Sequence, residues 1–299
     1  MTLTNSIASL FITVALFFHP QQQNDIPQYD HVIIVMEENH AYSELIGSQN
    51  APYINQLAKN GVLFTNSHGI GHPSQPNYLV LYSGSTQDVT GDDCLEGKTP
   101  FKTPNLGAAL LDKKFTFKGY AETMPKAGYL DCTYRASDYT IGHLYARKHC
   151  PWVNWVGTGV NCIPITASVP MTDFPTDFTK LPTVAFVVPN MDNDMHNIGF
   201  AGDAAAIKRG DVWLKGHIAE YAEWAKTHKS LLIVTWDEDD ALSKNANKIP
   251  TIFYGAKLID GKYTSAINHY NVLHTVQSMY GLSSTDNVIA PPIGGIWSK

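Results

Sequence analysis

The chain has 299 residues, 44% of them hydrophobic and 16% charged, with a formal net charge of −6. That length can bury a sizeable core, as one large or two ordinary domains. The acidic balance offers no basic field for nucleic acid and argues against it as a partner.

Residues 7–18, IASLFITVALFF, form an apolar run followed by polar HPQQQND, and the first lysine or arginine is Lys59. The run is too short to span a bilayer comfortably and reads as the h-region of a signal peptide over residues 1–20. A secreted or periplasmic protein without stable membrane insertion is therefore expected. Against cleavage stand the missing basic n-region and the missing A-x-A site, which leave a buried segment or an uncleaved anchor as alternatives.

Residues 31–36, HVIIVM, are apolar without interruption, as in a central parallel strand covered on both faces. The run stops at Glu37, Glu38 and Asn39. Residues 51–60 have helical spacing and end at Gly61, and a strand is predicted over 62–66. Then comes GHPSQPNYLVLYSGS, residues 71–85. Pro73 and Pro76 fit together only at the start of a helix, which places Ser74 at or near its N-terminus. There the free N–H groups and the helix dipole favour an anion. Ser74 is either an N-cap or a nucleophile, and the local sequence leaves both open.

Residues 86–182 are less regular, with one helix predicted at 104–113 and one strand at 115–120. This stretch carries all four cysteines and reads as an insertion beside the site of a single domain over 27–299. Within it, YARKHCPW turns Arg147, Lys148 and His149 toward an anionic substrate or toward solvent. Cys94, Cys132, Cys150 and Cys162 form no C-x-x-C pair, so a structural zinc site is not expected. An even count in an exported chain points to two disulfides, and sequence neighbours suggest Cys94–Cys132 and Cys150–Cys162.

Regular order returns with a buried strand at 183–188, which runs into PNMDNDMHN, and a helix at 210–229. A third buried strand at 231–236 ends in Asp237 and Glu238. A short strand at 252–254 and a helix at 270–280, preceded by His269, complete the pattern. Three apolar strand patterns thus end in acids: Glu38 with Asn39, Asp192, and Asp237 with Glu238. In a parallel sheet such ends meet at one edge. Carboxylates gathered there stay ionised only with cations among them, so a metal site is expected. Asp192 and His196, spaced i, i+4, would share one face of a helical turn, and His269 could complete the set. Oxygen and imidazole together suit zinc or a similar metal better than calcium.

The order of Glu38-Asn39, Ser74-x-Pro-Asn77, Asp192-x-x-x-His196, Asp237-Glu238 and His269-Tyr270 resembles the alkaline-phosphatase superfamily. Within it, the chain is similar to the bacterial phosphoesterase family of acid phosphatases and phospholipases C. APYINQLAKNG, HPSQPNYL, YARKH, PNMDNDMHN, VTWDEDD, IPTIFYGA and HYNVLHT carry the likeness from about His31 to the end. The resemblance implies a three-layer α/β/α sandwich with a mostly parallel sheet. It implies a phosphoserine mechanism on small phosphomonoesters or phosphoinositide head groups, with Ser74 as nucleophile and Asn77 holding phosphoryl oxygens. Glu38, Asn39, Ser74, Asp237 and Glu238 would form one metal site. Asp192, His196 and His269 would form a second, or bind phosphate and supply the general acid, and His149 would lie near the substrate. The metal stays open between zinc, calcium and magnesium. A phosphodiesterase with a wider mouth and a non-catalytic metal-binding surface protein are the competing expectations.

Overall fold

Apolar runs without polar alternation need cover on both faces, and the three found in the sequence lie side by side in one sheet. The computed structural model describes residues 26–135, 142–240 and 246–299, and the expected leader lies outside them. The elements run β1 (His31–Glu37), α1 (Tyr42–Leu45), α2 (Pro52–Asn60), β2 (Val62–His68), α3 (Ser74–Ser83), α4 (Leu106–Asp112) and β3 (Phe117–Ala121). After them come β4 (Thr133–Tyr134), β5 (Tyr145–Ala146), β6 (Ser168–Pro170), β7 (Val184–Val188), α5 (Asp203–Thr227) and β8 (Ser230–Trp236). β9 (Lys248–Gly255), β10 (Gly261–Tyr263), β11 (Ile267–Asn268) and α6 (His269–Met279) complete the chain.

The 9-stranded sheet has the order β10-β2-β9-β8-β1-β7-β3-β6, with β11 beside β2. All pairs are parallel except those of β9 with β2 and β8. Alternation along β1 divides the core. Val32, Ile34 and Met36 face Tyr78, Leu79, Leu106 and Val272 of α3, α4 and α6. Ile33 and Val35 face Tyr53, Leu57, Trp213 and Ile218 of α2 and α5. The result is the expected three-layer α/β/α sandwich. Because β8, β1 and β7 are parallel neighbours, their carboxyl ends at Trp236, Glu37 and Val188 share one edge.

Several boundaries differ from expectation. β9 is longer than the predicted 252–254 because Pro250, which has no N–H to donate, sits where the β2–β9 register shifts between Phe64 and Ser67. α5 begins at Asp203, not at 210, and so reaches back toward the turn that follows β7. Residues 86–182 give β3 and β6 to the main sheet. Cys94 and Cys132 form a disulfide. The expected Cys150–Cys162 pair does not form, and both thiols are free. Cys150 joins two 3-10 turns that direct it into the core, where burial pushes its pKa up. Cys162 sits half-exposed in a loop, its Sγ 3.1 Å from Lys102 Nζ.

Candidate active site

Ser74 is not the N-cap of its helix. The N-cap of α3 is Pro73, which lacks an N–H and closes the preceding loop in extended backbone, so Ser74 is the first helical residue. Its hydroxyl caps nothing in the helix. It donates instead to Glu38 Oε2 at 3.1 Å and Glu238 Oε1 at 3.3 Å, on the ends of β1 and β8. α3 thereby aims its positive end at the same edge to which the parallel strands deliver their acids.

Asn39, at φ 43 in the left-handed region that Asn tolerates, ties those two strand ends together. Its N–H donates to Asp237 Oδ1 at 2.9 Å and its Nδ2 to Glu238 Oε1 at 3.0 Å. Asn77 braces the loop before Ser74. Its Oδ1 accepts from Ile70 N–H at 2.7 Å, and its Nδ2 donates to Gly71 O at 2.8 Å and, longer, to Glu238 Oε2 at 3.4 Å. Glu38, Asn39, Ser74, Asn77, Asp237 and Glu238 are therefore brought together. Buried His269 opens α6 against the same edge, its Nε2 donating to the Asp237 carbonyl at 2.7 Å.

His149 is also buried in the site. It stacks on Tyr78, with ring centroids 5.1 Å apart, and its Nδ1 lies 3.1 Å from Asp194 Oδ2. Its Nε2 is 3.1 Å from Glu38 Oε1, yet out of line for a hydrogen bond. His196 approaches from the turn after β7, its ring centroid 5.7 Å from that of His149. Glu38, His149 and His196 each offer a ligand atom, all within 4.8 Å of one another.

Residues 191–194 form a turn and not a helix, so the i, i+4 pairing of Asp192 with His196 has no helical face to share. The Asp192 carboxylate accepts from Asn197 Nδ2 at 2.8 Å. The acid that meets His149 is Asp194, which also accepts the His196 N–H at 2.9 Å. Arg147 is buried, donating to Leu130 O, Thr99 Oγ1 and Asn154 Oδ1, and its remaining surface lines the cavity beside Gln75. Lys148 pairs with Asp92 at 2.6 Å, and Asp92 accepts the Gln75 N–H at 2.9 Å. Sequence reasoning missed Asp194, Asp92 and His72. His72 bridges Glu238 Oε2 at 2.7 Å and Asp239 Oδ1 at 3.2 Å. Its only signal was adjacency to the Ser74 turn.

The electrostatics follow from burial. Burial first, and then neighbouring negative charge, hold Glu38, Asp237 and Asp194 well above the carboxylate range and push Glu238 up to about 9. Burial and the Lys148 charge lower His196 to about 4, and burial lowers His269 to about 4. Asp237 Oδ2, Glu38 Oε1 and Asn39 Oδ1 are buried without hydrogen-bond partners. Orphaned oxygens on crowded carboxylates fit a divalent cation, which would satisfy them and return the acids to their ionised forms. Beside Gln75 and Lys148 lies a cavity of about 220 Å³, walled by the Cys94–Cys132 disulfide and Leu95.

A serine at a helix N-terminus thus faces crowded acids at the carboxyl edge of a mostly parallel sheet. The fold is similar to that of solved structures. A protein of the alkaline phosphatase superfamily from Vibrio parahaemolyticus superposes with a TM-score of 0.57 at 14% identity, covering 85% of this chain and 67% of that one. A lipoteichoic acid synthase from Listeria monocytogenes gives 0.57 at 12% identity, covering 87% and 74%.

The profile of the Phosphoesterase family matches residues 48–283, and the chain belongs to that family. It is 45% identical over 276 residues to the phosphatidylinositol-3-phosphatase of Mycobacterium tuberculosis, covering 91% of this chain and 84% of that protein. It is 29% identical to an acid phosphatase of Aspergillus fumigatus, covering 83% of this chain but only 54% of the fungal protein. The protein is thus an enzyme that hydrolyses phosphate esters.

Proposed function

We propose that the protein is an exported phosphomonoesterase that works through a phosphoserine at Ser74, with a phosphatidylinositol monophosphate among its substrates. The observation that carries this reading is the Ser74 hydroxyl, free of any capping role and hydrogen-bonded to Glu38 and Glu238. The name of the mycobacterial relative supports the lipid phosphate, and the Cys94–Cys132 disulfide supports export.

The residues divide the work by position. The monoester carries about two negative charges near neutral pH, and the N-terminus of α3 receives its phosphoryl group. Ser74 Oγ loses its proton toward Glu38 or Glu238 and attacks phosphorus in line. Glu38, Asn39, Ser74, Asp237 and Glu238 would hold a divalent cation, which when bound neutralises charge on the phosphoryl oxygens. Asp194 orients His149 through Nδ1. Half-buried His196 protonates the leaving alkoxide, since it keeps an exposed edge while His269 is buried with its Nε2 on the Asp237 carbonyl. The cavity beside Gln75 takes the alcohol. Water then hydrolyses the phosphoserine.

The test is a phosphate-release panel over p-nitrophenyl phosphate, bis-p-nitrophenyl phosphate and short-chain phosphatidylinositol phosphates, before and after chelation. Monoester turnover that chelation removes is expected. Preference for the diester would overturn the monoesterase assignment.

A further inference from the structure

His196, half-buried in the site, is followed within four positions by a turn that exposes large apolar side chains. Phe200 is exposed to 109% of its reference area and Ile198 to 44%. Gly199 at φ 57 and Gly202 at φ 74 bracket the aromatic and bend the chain outward in conformations that favour glycine. The base of the turn is fixed, because Arg209 of α5 donates to the carbonyls of Asn197 and Asp192. A projecting aromatic thus stands on an anchored base, four positions from His196.

A single exposed apolar residue is ordinary on a soluble surface. Position and substrate give this one meaning. The phosphate of a phosphoinositide lies at the bilayer surface, so a buried Ser74 reaches it only if the rim of the site meets the lipid. No described helix is long and apolar enough to cross a membrane, so among the described residues that contact comes from the surface. With a net charge of −6 the protein is repelled by an anionic leaflet. Attachment then has to rest on apolar insertion more than on a basic patch.

We propose that the Ile198–Phe200 turn is a bilayer-docking tip that enters the lipid interface and seats the Ser74 site over a phosphorylated lipid head group. The proposal rests on the phosphomonoesterase reading. Val288 and Ile289 are also exposed, the latter to 100%, but they follow Asp286, which packs against Gly84 at the far end of α3. That end is roughly 15 Å of helix from Ser74, so Ile289 serves as a control for general stickiness.

The experiment uses the full chain in two assays. One is cosedimentation with phosphatidylcholine vesicles containing phosphatidylinositol 3-phosphate. The other is hydrolysis of that lipid in vesicles and of its short-chain, monomeric form. Phe200→Asp is expected to weaken vesicle binding about tenfold or more and to slow vesicle hydrolysis in step, with short-chain turnover unchanged. Phe200→Trp should retain binding, and Ile289→Asp should change nothing. Wild-type vesicle binding by Phe200→Asp overturns the proposal, as does an equal loss on both substrates, which would put Phe200 in the chemistry. Wild-type protein that hydrolyses the short-chain lipid but does not bind vesicles overturns docking alone. Wild-type protein that binds vesicles but hydrolyses neither form overturns the phosphatase reading, and the binding assay still decides docking.

Discussion

Ser74 is the first residue of its helix and not the cap, and that offset of one position sends its hydroxyl to Glu38 and Glu238. Ser74→Ala should therefore cost little stability while lowering turnover at least about a hundredfold; thermal melting and steady-state kinetics on one preparation separate the two. His196 gives a prediction with a sign. Burial and then the Lys148 charge lower its pKa to about 4, so Lys148→Met should raise it. If the imidazolium protonates the leaving group, the falling limb of kcat should move to higher pH in that variant. An unmoved limb would remove His196 from the role. At this scale the sequence was partly legible. Glu38, Asn39, Asp237 and Glu238 stand out because they follow apolar runs abruptly. Asp194 did not, because an i, i+4 rule selects Asp192 while the segment is a turn in which Asp194 points inward.

The turn after β7 is held by the helix that follows it. An added Cβ at Gly210 of α5 would come within 2.5 Å of Met195 Cε and 3.0 Å of Asn193 O. Met195, at φ 81, lies between Asp194 and His196 and has little room to yield. Gly210→Val should cost about 1–3 kcal/mol and lower kcat in the remaining folded protein by displacing His196. Gly216 in the same helix has nothing within 4 Å, so Gly216→Ala should stabilise by about 0.5–1 kcal/mol. Chemical denaturation of both variants checks the contrast. The central strands were readable because continuous Val and Ile runs have no alternative to burial on both faces. β9 was readable only in part, since Pro250 looks like a break until a register shift accommodates it. The failed Cys150–Cys162 pair shows the limit of pairing cysteines by proximity in sequence: Cys150 is buried between two 3-10 turns, while Cys162 lies half-exposed in a loop beside Lys102.

The whole molecule carries a cluster of buried acids that only a cation makes comfortable. Glu238, pushed up to about 9 from an ordinary 4.5, takes up protons on folding. Its contribution to stability is fully present below about pH 4.5 and is lost as pH rises toward about 9. Chelated protein should therefore melt at progressively lower temperature as the buffer is raised through that window, and added divalent metal should flatten the slope. A metal-free profile that does not change with pH would mean that these carboxyls are not protonated in the fold. The central claim remains the covalent step at Ser74. Its most direct measurement is acid quenching of the enzyme during turnover of a phosphomonoester, followed by mass spectrometry of the peptide containing residues 71–85. The account predicts one phosphoryl group on Ser74 in the wild type and none in Ser74→Ala. Near-normal phosphate release by Ser74→Ala, with no phosphopeptide in the wild type, would contradict it.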